Sequence, residues 1–94
     1  MKQYDKIKDE ELIFRFKQGE TEILDYLMEK YKNMVRKKAR AMFLIGGDND
    51  DLIQEGMIGL FKAVRDYQPE KEASFQTFAR ICVDRQIYNA IQNS

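Results

Sequence analysis

The stretch DLIQEGMIGLFKAVRDY, residues 51–67, has the spacing of a helix and two faults for one. Gly56 and Gly59 stand inside it, and Ile58 falls among charged neighbours. At about 100° per residue, Ile53, Gly56, Leu60, Ala63, Val64 and Tyr67 share one side, with Met57 at its edge. Asp51, Gln54, Glu55, Ile58, Lys62 and Arg65 share the other. Each internal glycine costs a helix roughly 1 kcal/mol relative to alanine. Gly56 lies within the apolar face and Gly59 at its edge, which predicts close approach of a neighbouring helix where a Cβ would intrude. Ile58 has two readings. A lone exposed isoleucine is ordinary. With Phe61 on its flank and Asp51, Gln54, Glu55 and Lys62 around it, however, the group has the dry centre and polar rim of a small protein-binding patch.

Working outward, the pattern predicts helices over roughly 9–18, 21–44, 50–67 and 74–92. Asp9 is a candidate N-cap for the first, with Leu12, Ile13 and Phe16 on its apolar side and Gly19 as its stop. The second keeps helical spacing through Ile23, Leu24, Leu27, Met28, Tyr31, Met34, Val35, Ala39 and Met42. Gly46-Gly47 is expected to end it, and Asp48 or Asn49 to cap the third. Ser74 is the expected N-cap of the fourth, after the loop QPEKEA. No segment alternates strictly or forms a β-branched run between turn residues. The expectation is an all-α, compact bundle of about four helices in one domain spanning 1–94.

The fourth helix is apolar on two sides. Phe75, Ala79, Cys82, Val83 and Gln86 share one, with Ala90 nearby, while Thr77, Phe78, Ile81, Arg85 and Tyr88 form a second stripe. Either the helix is central and buried on both sides, or the second stripe is an exposed platform. Aromatic rings stack on unpaired bases for about 1–3 kcal/mol each, and a neighbouring arginine attracts phosphate or reads base edges. Arg85 within the stripe favours exposure, since an unpaired guanidinium resists burial.

Charge and composition narrow the function classes. Sixteen basic and sixteen acidic residues cancel, so global charge points to no partner. Locally, residues 31–45 carry Lys32, Arg36, Lys37, Lys38 and Arg40 without an acid, and residues 46–60 carry Asp48, Asp50, Asp51 and Glu55 without a base. The chain has no histidine and a single cysteine, Cys82. That removes the commonest general base, the His-paired nucleophiles, and any internal disulfide. GDNDDLIQEG resembles a calcium loop only superficially, because Leu52 takes the fifth position from Asp48 and no glutamate takes the twelfth. The reading is a non-enzyme with no metal and no cofactor. Without an apolar leader or membrane-length run, it is expected to be cytoplasmic, with no membrane partner.

The residues DLIQEGMIGLFKAVRDYQ, followed by SFQTFARICVDRQIYNAI, resemble conserved region two of bacterial RNA polymerase sigma factors of the sigma-70 family. The pattern DLIQEG-x-x-GL-x-x-AV, then F-x-TFA-x-x-x-x-x-RQ after a short loop, is long and specific. The upstream LDYLMEKYKNMVRKKARAMFLIGGDNDDLIQEGMIGL and the RICVDRQI segment look most like the sporulation-type sigma-H branch. The resemblance runs from about Asp9 to Asn93. It implies a domain that binds core RNA polymerase and recognises and helps melt the promoter −10 element. The helix matching residues 51–67 is implied to dock on a coiled coil of the largest-subunit clamp, through Asp51, Gln54, Glu55, Met57 and Phe61, around the Ile58 patch. The fourth helix is implied to hold the displaced non-template strand, with Phe75, Thr77, Phe78 and Ile81 unstacking and holding bases. Tyr67 and Lys71 match positions that cradle a flipped base. Arg85, Tyr88 and Asn89 match positions that read the upstream edge as duplex. An anti-sigma factor is a further partner that the resemblance allows.

The sequence also departs from the housekeeping pattern. Ile81-Cys82 stands where that branch has a tryptophan pair, and Ala73 where it has a tyrosine. Less stacking surface implies weaker DNA melting and reliance on a near-consensus promoter. The family's −35-reading helix-turn-helix domain is expected to be absent from a chain ending at Ser94. The alternative function is a protein-interaction module that binds polymerase or a regulator without opening DNA.

Overall fold

The structure is a computed structural model that describes residues 3–46 and 48–93. It contains a single 3₁₀ turn at Tyr4–Lys6 followed by four helices: α1, Asp9–Lys17; α2, Glu22–Phe43; α3, Asn49–Asp66; and α4, Phe75–Gln92. No strand occurs among the described residues, and the all-α expectation holds. The helices lie within about a residue of the sequence-predicted ranges. The opening 3₁₀ turn was not anticipated. It buries Tyr4, whose ring meets Tyr26 edge-on at 5.4 Å.

Local chemistry accounts for most helix ends. Asp48 caps α3, accepting from the amides of Asp50 (2.9 Å) and Asp51 (3.3 Å). Ser74 caps α4, its Oγ accepting from Thr77 N at 3.2 Å. Gly19 takes φ +114°, a conformation open to glycine, and stops α1. One expectation fails. Asp9 is the first residue of α1 rather than its cap, and its carboxylate is turned instead to Lys30 and the Tyr31 hydroxyl on α2. At the end of α2, Leu44 remains in the right-handed helical region and Ile45 N bonds Met42 O at 2.9 Å, so the helix tightens into a turn before Gly46. Gly47, the second glycine of the expected stop, lies outside the described residues.

The core is a single cluster. From α2 it takes Ile23, Leu27, Tyr31, Val35 and Ala39 at strict four-residue spacing. From α3 it takes Leu52, Leu60, Ala63 and Val64, and from α4 Phe75, Ala79, Val83 and Ile87. Leu52 was left out of the sequence-predicted face. It belongs there once Gly56 and Gly59 are counted as buried positions of the same face. The largest helix–helix contact is α3 on α4, and next is α2 on α3. A Cβ on Gly59 would stand 2.9 Å from the Cys82 carbonyl and 3.1 Å from Val83 Cα. The two backbones therefore touch there, as the two glycines predicted.

The molecule measures 38 × 30 × 19 Å. The short dimension is about two helix diameters, so each long helix has one face in the core and one in solvent. No helix among the described residues is long and apolar enough to cross a membrane.

Candidate functional site

Two outward faces, carried by α3 and α4, account for most of the sequence-predicted site residues. On α3, Asp51, Gln54 and Ile58 are exposed, and with Glu55 they line a depression between the first half of α3 and the far end of α4. Its floor includes Leu52, Ala90 and Ile91. Ile58 is 45% exposed and Phe61 40%, both large apolar groups in water. Met57 is different: it is partly buried against the core at the edge of this face. Asp48, Asp51 and Glu55 make the depression's rim acidic.

Ala90 and Ile91 come from 35 residues or so downstream, and α3's periodicity alone could not place them there. Leu44 and Ile45 were also missed. They are the most exposed large apolar residues described, at 87% and 66%, and follow directly on the end of α2. The signal was available, since the apolar run MFLI outlasts any core position the helix could supply.

On α4, the exposed-platform reading is the one the structure adopts. Thr77, Ile81, Arg85 and Tyr88 are exposed and Phe78 is half-buried, so the stripe faces water along the length of the helix. Ile81 is 44% and Tyr88 50% exposed. Arg85, Tyr88 and Asn89 line a second depression together with Met42 and Asp84, between α4 and the end of α2. Alongside, Lys37, Lys38 and Arg80 line a basic trough between α2 and α4. Lys38 is drawn into an ion pair with Asp84 at 2.9 Å, while Arg36, Lys37 and Arg40 are exposed.

Two of the expected base-contacting residues are placed otherwise. Tyr67 is 2% exposed and Phe75 fully buried, so neither ring presents a face to a base in this conformation. Their apolar area is better satisfied in the core. Tyr67 packs edge-on against Phe75 at 5.5 Å and tilted against Phe78 at 5.6 Å. Its hydroxyl donates to the Ala73 carbonyl at 2.7 Å, and burial pushes the phenol's pKa above its ordinary value. Tyr67 and Phe75 are thus the floor on which Phe78 rests. Lys71, by contrast, is exposed on the loop between α3 and α4.

Gln86 joins the two faces. Its amide donates to Glu55 Oε1 at 2.9 Å and its carbonyl accepts from Lys62 at 3.1 Å. Cys82 sits half-buried beside it, and burial pushes its thiol pKa up. Among the described residues no cluster of acidic or cysteine side chains is arranged to hold a metal ion.

The family described as Sigma-70 region 2 matches residues 27–94. An RNA polymerase sigma-H factor of Bacillus subtilis (strain 168) is 48% identical over 92 residues, covering 98% of this chain. A sigma-H factor of Bacillus licheniformis is 49% identical over 88 residues, or 94% of this chain. An RNA polymerase sigma-E factor of Clostridium acetobutylicum is 34% identical over 82 residues. The chain spans 42% and 40% of the lengths of the two sigma-H factors.

Proposed function

Because this chain belongs to the sigma-70 family, as its region 2, we propose that it binds core RNA polymerase through α3 and recognises and helps melt the promoter −10 element through α4. It does so without chemistry of its own, in the cytoplasm where polymerase works. The observation that carries the reading is the pair of separate outward faces on one helix pair, each with the composition its partner needs.

The α3 face has an apolar centre, Ile58 and Phe61, ringed by Asp51, Gln54 and Glu55. That composition suits a partner helix with apolar and basic residues, such as a coiled coil of the largest-subunit clamp. Met57 supports the patch from its edge. The α4 face offers Thr77, Phe78, Ile81 and Tyr88 to bases of a displaced strand, with Lys71 at its loop end. Arg85, Tyr88 and Asn89, grouped around one depression, suit the upstream edge of the element. Phosphates running alongside meet Arg36, Lys37, Arg40 and Arg80. Extruding a base costs a few kcal/mol, and ring stacking at about 1–3 kcal/mol per base is of the size needed to offset it. With isoleucine and cysteine at positions 81 and 82, the stacking surface is small, which suits a factor that needs a strong −10 match. Tyr67 and Phe75 serve this face from beneath.

An anti-sigma factor covering either face fits the same surfaces. The competing reading, a module that binds polymerase without touching DNA, predicts the same α3 face and no use for the α4 stripe. Fork-junction DNA with an exposed −10 strand separates the two. Polymerase carrying this protein should bind the matched strand at least tenfold more tightly than a scrambled one. Equal affinity for both would exclude promoter reading.

A further inference from the structure

Two polar contacts of α1 reach the region where α3 hands over to α4. The Glu10 carboxylate accepts from the backbone N–H of Phe75, the first residue of α4, at 2.7 Å. Lys17 Nζ donates to the carbonyl of Tyr67, the residue that closes α3, at 2.6 Å. Glu10 and Lys17 lie seven residues apart, two helical turns, and so stand on one face of α1 about 10 Å apart. A single face of α1 therefore spans both ends of the 68–74 loop.

Each contact has a physical reason. The first amides of a helix lack partners within it. Ser74 satisfies Thr77 N locally, whereas Glu10 satisfies Phe75 N from 65 residues away. A local cap stabilises a helix wherever it lies; a distant one also fixes where the helix starts. The carboxylate is the stronger acceptor, and it meets the positive end of the helix dipole. Lys17 is the complement, a cation on a carbonyl at the negative end of α3. Asp9, on the same first turn, anchors α1 to α2 by accepting from Lys30 and from the Tyr31 hydroxyl. The Tyr31 ring in turn meets Phe75 edge-on at 5.6 Å.

We infer that α1 is a brace for strand capture, with Glu10 and Lys17 as positioning residues that hold the α3–α4 loop and the first turn of α4 in register. The inference rests on the reading of α4 as the strand-binding face. Lys71 is carried on the braced loop, and Thr77 and Phe78 follow within the first turn. Arg85, Tyr88 and Asn89 lie two to three turns further along and do not depend on the brace. Small displacements of groups that must meet a partner in fixed geometry carry large penalties, so the brace acts on affinity for the strand without touching it.

The test measures two affinities for each variant, at a temperature where circular dichroism shows the helices intact. One is for core polymerase; the other, with polymerase present, is for fork-junction DNA bearing a single-stranded −10 segment. Glu10→Ala and Lys17→Met should each weaken strand capture about five- to tenfold, the size of effect a lost helix cap carries, with polymerase affinity within about twofold. Glu10→Gln keeps a carbonyl acceptor without the charge and should recover part of the loss, the remainder being the charge-assisted share of the contact. Unchanged strand affinity in both variants would overturn the inference. So would a parallel loss of polymerase and strand affinity, which marks general destabilisation. If the unsubstituted protein shows no preference for the −10 strand, both this inference and the reading it rests on fall.

Discussion

The α3–α4 pair is joined in two different ways along its length. Midway, glycine brings backbone against backbone: Gly59 leaves no room for a Cβ beside Cys82 and Val83, and Gln86 lies over the contact, bonded to Glu55 and Lys62. At the loop end the helices are joined by rings and by polar contacts from elsewhere. Tyr67, Phe75 and Phe78 pack together, Tyr31 closes on Phe75, and α1 supplies Glu10 and Lys17. The first junction has no slack and sets the spacing of the two outward faces. The second is assembled from side chains and is open to adjustment. Under the proposed function, in which α3 grips polymerase while α4 receives a strand, the domain needs both a fixed spacing and a loop end held to one geometry.

The tight junction is broken most severely by volume. Gly59→Val forces a branched side chain against backbone atoms that cannot step aside, and should cost on the order of 3 kcal/mol in urea unfolding. Gly56→Ala is the control. Its Cβ would meet side chains rather than backbone, Val35 Cγ1 at 2.6 Å and Ile87 Cδ1 at 3.1 Å; the buried, stiff Val35 must shift, which offsets the about 1 kcal/mol of helix propensity that alanine returns. A loss at Gly56→Ala as large as that at Gly59→Val would mean that position 56 is the tighter, since alanine adds less volume than valine.

The adjustable junction is probed more gently, by pH. Burial and then the Asp9 carboxylate push the Tyr31 phenol well above its ordinary pKa, and burial raises Tyr67. The fold therefore favours the neutral phenols. Their contribution is complete below the ordinary tyrosine value near 10 and is lost as pH rises through the higher folded values. Urea midpoints should hold steady from about pH 7 to 9 and decline above about pH 10. Lysines titrate in the same range, so Tyr31→Phe and Tyr67→Phe isolate the effect: each should flatten the alkaline decline. An unchanged slope in both would show that these rings are not what responds.

The tight junction was legible in the sequence, and the adjustable one was not. Gly56 and Gly59 are readable because a mid-helix glycine on an apolar face has few explanations, and Leu52 would have followed had both been treated as core. The exposed stripe of α4 was legible as a stripe but not as exposed, because periodicity measures which residues share a side and not what covers it. Arg85 was the only internal hint. The contacts of α1 were invisible for a different reason. Glu10–Phe75 and Lys17–Tyr67 join residues 65 and 50 positions apart, and Asp9 looked like a local cap because nothing nearby competes for it. Tyr67 and Phe75 show the limit of carrying roles over by position. A motif fixes which residues stand at a site, but not which of them the fold buries there.

The central claim is that two faces of one rigid helix pair serve two partners, and a crossed comparison tests it most directly. Tyr88→Ala and the double variant Gln54→Ala, Ile58→Ala change exposed side chains on α4 and α3 respectively, so the fold should survive both. Affinities for core polymerase and, with polymerase saturating, for the −10 strand are then measured for each. The account predicts that Tyr88→Ala loses about tenfold for DNA, in line with one stacked ring, and nothing for polymerase. The α3 variant should lose a comparable factor for polymerase and, once saturated, nothing for DNA. If Tyr88→Ala weakened polymerase binding as much as DNA binding, or if the α3 variant left polymerase affinity unchanged, the division of labour between the two faces would be wrong.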